Sequence, residues 1–557
     1  MAKTILFGKS ARKELKVGID TVGNSIDPTI GPKGRNVIFD RGYGGPTITN
    51  DGGAISREIV LKDPIQNMGA NVTKEVAQKT NDIAGDGRKT SIILMREIVS
   101  EGTKAMTFSL TKKFFRWISF KSGRINAIGV KNGIEKASEI AVNYLKSIAK
   151  PIKSDEEIAQ VATLSSESEE IGKKISETMS KLGVDSVVTV EESPSVGIFS
   201  EVSQGMEFEK GFISPYMMTD TKRMEAELKN PLILVTDLKI GAIDEMVPIL
   251  EQVMKSGKRE LVIIAEDVVG EALNTFIINK IQGVITVLGI KSPGFGLRKK
   301  DYLEDIATVV GAKFISSEVG SLLSEVTLEN LGSADRVVAT KDKTIIVGGK
   351  GAKEAIDARI EVARAELEKL ESKHDQLKVE ERIARLSGGV AIIKVGAATE
   401  QETKYLKLKT EDAVNSVKAA LEEGIVAGGG SALILASKAV LEAKKTGNYT
   451  PDELLGFDIL AKAMEKPLRS IATNCGFGDG SNVLEKVKNM PNGGGFNALK
   501  NEYVENMIEA GIIDPVKVER CAVENAASGG GMFLTTEVAM AEQPKMLPNE
   551  MGMGAGG

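Results

Sequence analysis

The chain has 557 residues, a net charge of −5, 42% hydrophobic and 27% charged residues, the balance of a globular protein of several domains and not of one held to nucleic acid by charge. Two cysteines, Cys475 and Cys521, are too few for a disulfide framework and read as buried thiols of a reducing compartment. The one histidine, His374, sits in the charged run "ESKHDQLKVEER" and reads as solvated, so no histidine triad or histidine-ligated zinc site is proposed. The start "MAKTILFGKSARKELK" has no apolar stretch of a signal peptide, and no run of about 18 apolar residues marks a membrane span. The expected location is the cytoplasm, without integral membrane association.

Residues 1–150 read as mostly helical, with extended pieces at "NVIFD" and "PTITND". The clearest helical stretches are "MGANVTKEVAQKTNDIA" and "GVKNGIEKASEIAVNYLKSIA". From about 205 to 350 the short apolar runs 232–240, 260–267 and 284–291 alternate with helical segments such as "AIDEMVPILEQVMKSG" and "GEALNTFIINKIQG". That alternation predicts a sheet covered by helices. A long charged helix follows, with Ile356, Ile360, Ala363, Leu367 and Leu370 as one apolar stripe and Gly388–Gly389 at its end. Residues 411–540 return to helical character, interrupted by "VAGGGSAL". The fold class is therefore multidomain α/β: a helical body built from both termini and a central α/β insertion. The tail "NEMGMGAGG" is low in complexity and reads as unstructured.

The stretch "AGDGRKTS", 84–91, has the composition of a phosphate loop but not the P-loop spacing, because Arg88 stands between Gly87 and Lys89. Two glycines and Asp86 open a predicted helix 89–97, whose N-terminus favours anions. "TIGPKG" offers a second turn where backbone can approach a phosphate. Taken singly, Asp51 in "NDGG" also fits a turn residue and Asp412 in "KTEDAV" a first-turn helix acid.

Taken together, "TIGPKGRNV", "PTITNDG", "AGDG", "GGVAIIKVGAATE", "EEGIVAGGGSAL" and "GIIDPVKV" resemble, in order and nearly in spacing, the group I chaperonins of the bacterial GroEL type. The resemblance covers nearly the whole chain. It implies an equatorial domain from 1–147 and 423–540, an intermediate domain from 148–204 and 391–422, an apical domain at 205–390, and a flexible Gly/Met tail at 541–557. It implies an ATP-driven chaperone that encloses non-native polypeptides in seven-membered homo-oligomeric rings, with a heptameric co-chaperonin of the GroES type and with ATP and Mg2+ as cofactors. Asp51 and Asp412 match the acids that position and activate water, and Asp86 the Mg2+ ligand. Thr29, Ile30, Gly31, Pro32, Asn50, Gly87, Arg88, Lys89 and Thr90 match the phosphate walls. Gly429, Asn497, Ala498, Leu499 and Asp514 match the walls around adenine and ribose. Phe212, Tyr216, Met217, Val247, Leu250, Leu273, Ile277 and Ile278 match the apical groove for substrate and co-chaperonin. Read without the family, the apical residues are equally the core faces of amphipathic helices.

Three departures stand out. The family's threonines after "GDG" are Arg88 and Lys89, and its lysine before "DG" is Asn50. Either the site is impaired and the protein is a holdase that hardly hydrolyses ATP, or Lys89 replaces the K+ bound near this wall in the family and Arg88 clamps a phosphate. The third is an insert at 107–125, "TFSLTKKFFRWISFKSGRI", with five aromatic and five basic residues and no acid. It reads as a surface loop or a basic amphipathic binding segment. By resemblance it lies near the surface where two rings meet, which puts the double ring in question. A metabolic kinase or GTPase is the weakest alternative, because no intact P-loop exists.

Overall fold

The computed structural model describes residues 3–40, 46–108, 125–182, 187–221, 223–294, 297–367, 373–388 and 390–542. The expectations for most of the insert, for Leu370, for the side chain of His374 and for the tail beyond 542 lie outside these residues. The chain forms two compact units, Met1–Glu177 with Thr399–Gly557, and Thr178–Ala398.

The first unit is a helical body. Helices Gly8–Ile26, Pro64–Ala84, Arg88–Phe108 and Ala127–Ser147 come from the N-terminal part, and Ser431–Thr446, Pro451–Met464 and Val516–Thr535 from the C-terminal part. Their apolar faces share one core that includes Ile19, Leu94, Ile98, Ile134, Phe457, Leu460 and Val523. Helix Val516–Thr535 packs against 64–84, 88–108 and 127–147, which ties the distant ends of the chain together. The termini also join directly, as strand Lys3–Phe7 pairs antiparallel with Val538–Glu542. The two passages toward the central insertion are clipped by a bridge in which Lys150 and Ile425 exchange backbone hydrogen bonds of 2.9 and 2.8 Å.

Local chemistry explains the boundaries. Asp63 caps Pro64–Ala84 by accepting from the Ile65 and Gln66 N–H groups, and Pro64 fits the first helical position. Gly85 ends that helix in a left-handed conformation with φ of 76°. The next helix begins at Arg88 and runs to Phe108, longer than the predicted 89–97, because Ile98 and Val99 extend the buried stripe and Gly102, against the Leu534 side chain, does not end it.

The second unit is the α/β insertion. Its main sheet has strand order 286–291, 260–265, 232–235, 332–333, with the first three parallel. These strands are almost fully buried, as expected for a sheet covered on both faces. Helices Val247–Lys255 and Gly270–Ile281 connect the successive parallel strands, and helix Leu297–Val310 packs on strands 232–235 and 332–333. The predicted strand 232–240 is two strands, 232–235 and 239–240, because the Thr236 hydroxyl accepts from Leu238 N–H and turns the chain. A four-stranded antiparallel sheet (205–208, 344–347, 336–339, 226–229) and a three-stranded sheet (187–192, 390–396, 197–203) complete the unit. The long charged segment is two packed helices, Lys353–Leu367 and Lys373–Gly388, with Ile356, Ile360 and Ala363 buried as the stripe predicts. Arg359 and Arg382 both bond Asp305, a carboxylate only 1% exposed.

Helices Gly8–Ile26 and Pro64–Ala84 cross with backbones nearly touching. A Cβ on Gly69 would sit 1.9 Å from the Leu15 carbonyl oxygen, and one on Gly18 1.9 Å from that of Gln66. Neither carbonyl can move without breaking its helix. Gly69→Ala is therefore expected to cost about 3 kcal/mol, measured by denaturant unfolding, and an unchanged midpoint would contradict this packing.

Candidate functional site

Three loops and two helices of the first unit bring the candidate acids together. Asp51 caps the short helix Gly52–Glu58, where its Oδ2 accepts from Ala54 N–H. The turn-residue role is thus real, and it uses one oxygen. The other, Oδ1, lies 3.8 Å from Arg88 Nη1. The same Nη1 lies 3.5 Å from Asp412 Oδ1. Asp412 is in the middle of helix Glu400–Glu423, not in its first turn, so the expected capping alternative does not apply. It keeps 22% of its side-chain surface open. Burial pushes its pKa well up, Arg88 pulls it down, and Asp51 and Asp86 add to the rise.

Asp86 is held from three directions. Its Oδ1 accepts Gly87 N–H at 2.6 Å, and its Oδ2 accepts the hydroxyls of Ser416 at 2.8 Å and Ser165 at 3.2 Å. The single bond on Oδ1 leaves that oxygen capacity for a hard cation. No group of three or more His, Cys, Asp or Glu side chains among the described residues could hold a metal by itself. One carboxylate fits Mg2+ when phosphate oxygens and water complete its shell.

Arg88 and Lys89 lie over glycines. A Cβ on Gly53 would meet Arg88 Nη1 at 3.0 Å, and one on Gly52 would meet Lys89 Cγ at 2.7 Å. The Arg88 Nε is buried without a hydrogen-bond partner. Lys89 Nζ donates to the Thr29 carbonyl at 3.0 Å. Burial lowers its pKa and Lys409 adds to this, while Glu167, Asp51 and Asp86 oppose it. Lys409 pairs with Glu167 at 2.7 Å, and Asn50 receives the Tyr405 hydroxyl at 3.4 Å.

The "TIGPKG" turn is fixed by Asn474, whose amide donates to the Asp27 and Ile30 carbonyls, both at 2.9 Å. Gly31 has φ of +84° and faces Ile471, so only glycine fits there. The Thr29 hydroxyl donates to Ile26 O, and the Ile30 side chain is buried in one cluster with Phe496 and Ala498. These two residues therefore offer backbone, not side chain. Pro32 is exposed and Thr90 follows Lys89 in the first helical turn. On the opposite wall, Gly429 N–H donates to Asp514 Oδ2 at 3.0 Å. Burial raises the Asp514 pKa to about 6. Asn497 Oδ1 accepts from the Leu499 and Lys500 N–H groups, Ala498 is buried and Leu499 is exposed.

Sequence reasoning missed Ser165, Ser416, Lys409, Glu167 and Glu519. Ser416 stands four residues after Asp412, on the same helical face, and that spacing could have marked it. Ser165 carries no such signal.

The apical expectations need correction. Phe212, Met217 and Leu250 are buried in the core of the second unit and are not surface groups in this conformation. Leu273 and Ile277 are half-buried. Tyr216 is 74% and Ile278 52% exposed, and Val247 is also exposed. Ile281, Met254, Met224 and Val284, which the groove pattern left out, are exposed as well.

The family model of the TCP-1/cpn60 chaperonins matches residues 22–544, and the chain belongs to that family. Among solved structures it is similar to the chaperonin gp146 from the bacteriophage EL 2 (Pseudomonas aeruginosa), crystallised in the presence of ATP-BeFx. That likeness has a TM-score of 0.66 at 20% identity and covers 97% of this chain and 99% of that one. The fold is thus that of a chaperonin, with equatorial, intermediate and apical domains, and the role is that of a chaperone. No helix among the described residues is long and apolar enough to cross a membrane.

Arg88→Met removes the cation between Asp51 and Asp412. It is expected to lower stability at pH 8 by about 2 kcal/mol. The loss should shrink toward pH 5, because the Asp412 pKa is already raised and protonation relieves the repulsion. Denaturant unfolding at both pH values checks this, and an equal or higher stability at pH 8 would contradict it.

Proposed function

We propose that the protein is an ATP-driven chaperone whose nucleotide site carries its own cation in place of a bound K+. The observation that carries this reading is the convergence of Asp51, Asp86 and Asp412, from three distant stretches, around the start of helix Arg88–Phe108. Phosphates would lie against the backbone of Thr29–Pro32, Gly87 and Thr90, beside Asn50 and the cations Arg88 and Lys89. Adenine and ribose would lie against Gly429, Asn497–Leu499 and Asp514. Asp86 would hold Mg2+, which neutralises charge on the phosphates. Asp51 and Asp412 would orient and activate water. Lys89, fixed on the Thr29 carbonyl, puts an ammonium at this wall. The structural neighbour's crystallisation with ATP-BeFx supports nucleotide use by this fold.

One observation favours the second reading, a holdase with impaired hydrolysis: the Arg88 guanidinium stands between the two acids that would handle water. Steady-state ATP turnover separates the two. Turnover in Na+ equal to that in K+, lost in Asp412→Ala, is the expected result. Absence of turnover in both salts would leave the holdase, and a rate unchanged by Asp412→Ala would overturn the role of that residue.

Non-native polypeptide and a heptameric co-chaperonin would be captured by the exposed apolar side chains of the central unit, Tyr216, Val247 and Ile278, with Leu273 and Ile277 beside them. Phe212, Met217 and Leu250 would support that surface from beneath. Assembly into seven-membered rings in the cytoplasm follows from the same reading. Ile38 and Ile48 face each other across the ribbon 37–39/47–49, and both are exposed. Ile5, Phe7, Val538 and Met540 form the exposed face of the terminal ribbon. Two such apolar ribbons with open edges suit pairing between subunits. The double variant Ile38→Lys, Ile48→Lys is expected to run as a monomer in native mass measurement, and an unchanged ring would contradict this interface.

A further inference from the structure

Glu519 is engaged by none of the roles above. It stands in the first turn of helix Val516–Thr535 and is 6% exposed. Its helix neighbours Lys517 and Arg520 pair with Glu422 and Glu423 on helix Glu400–Glu423. Helices 64–84, 88–108 and 127–147 also pack on its helix, and the charged groups that act on it are two acids, Asp514 and Asp86. Its carboxyl and that of Asp514 are both buried and close enough to act on each other's titration, and its Oε2 has no hydrogen-bond partner. Asp514 in turn accepts Gly429 N–H at 3.0 Å.

Two buried carboxyls in contact, with no cation between them, cannot both be ionised and share one proton. Asp514 has an N–H donor that stabilises its anion, and Glu519 has none. The proton therefore sits on Glu519, which becomes the donor. A carboxylate held by Gly429 on one side and Glu519 on the other has one orientation.

We infer that Glu519 is a positioning residue for the nucleotide: its O–H fixes Asp514 as the acceptor for a ribose hydroxyl. This rests on the reading of Asp514 as a nucleotide-facing group. A buried acid of purely structural value would be replaced well by an apolar isostere, whereas a donor would be replaced only by another donor.

The test uses the full-length protein and its Glu519→Gln and Glu519→Leu variants. ATP binding with Mg2+ is followed by calorimetry between pH 6 and 8.5, and unfolding without nucleotide over the same range. Glu519→Gln, whose amide still donates, should bind ATP within about threefold of wild type, and Glu519→Leu about tenfold more weakly. Wild-type affinity should fall as pH rises and Glu519 loses its proton, and that of the Gln variant, which keeps Asp412 and Asp514, should fall less steeply. A raised folded-state pKa means that the unfolded chain binds fewer protons, so wild-type stability should also fall with rising pH, and that of Glu519→Gln, which keeps the raised Asp412 and Asp514, should fall less steeply. Leu binding as tightly as wild type, or Gln binding no better than Leu, overturns the inference, as does an unfolding profile identical in wild type and Gln. If wild type binds no ATP, the nucleotide reading itself fails and the positioning role with it; the unfolding profile then still decides whether the pair shares a proton.

Discussion

The Arg88 guanidinium between Asp51 and Asp412 is the contact on which the rest of the site depends. Two carboxylates brought this close, with Asp86 nearby, repel one another in a partly dry cleft. A cation at 3.5 and 3.8 Å makes their convergence tolerable. Its presence dictates the neighbourhood. The Arg88 guanidinium lies close over Gly53 and the Lys89 stem closer still over Gly52, and Asp86 is held by hydroxyls and a backbone N–H. Arg88 thus replaces a wall of small hydroxyl side chains with fixed charge, and Lys89 extends that charge to the Thr29 carbonyl.

Much of this was legible in the sequence, because it depends on local patterns. The alternation of apolar runs and helices between 205 and 350 marks a sheet covered by helices, and the stripe Ile356, Ile360, Ala363 marks a buried helix face. Asp51 and Asp86 were legible because each stands beside glycines that a phosphate loop needs, whereas Asp412, in "KTEDAV", was legible only through the family resemblance. Other features were not. Ser165 and Ser416 reach Asp86 only after helix 155–166 and helix 400–423 pack together; the spacing from Asp412 marks Ser416, but nothing in the sequence announces Ser165. Lys409 and Glu167 meet for the same reason.

The central unit shows the limit of periodicity from the other side. Apolar residues at helical spacing identify a face, but when both faces of a short helix carry apolar groups the pattern does not say which one meets the sheet. Leu250 turns inward with Ile249 and Val253, while Val247 and Met254 remain outside. Phe212 and Met217 lie where the chain crosses beside strand 286–291 and are drawn into its core. What remains exposed is a set of apolar side chains with buried ones beneath, suited to partners of varied sequence.

The central claim is that fixed side-chain cations stand in for a mobile one. The most direct measurement is ATP turnover against K+ concentration for wild type and for the double variant Arg88→Thr, Lys89→Thr, which restores hydroxyls to the wall. Wild-type turnover should be flat across the titration, and the double variant should need K+ to turn over. A wild type that requires K+, or a double variant as indifferent to K+ as wild type, would contradict the claim.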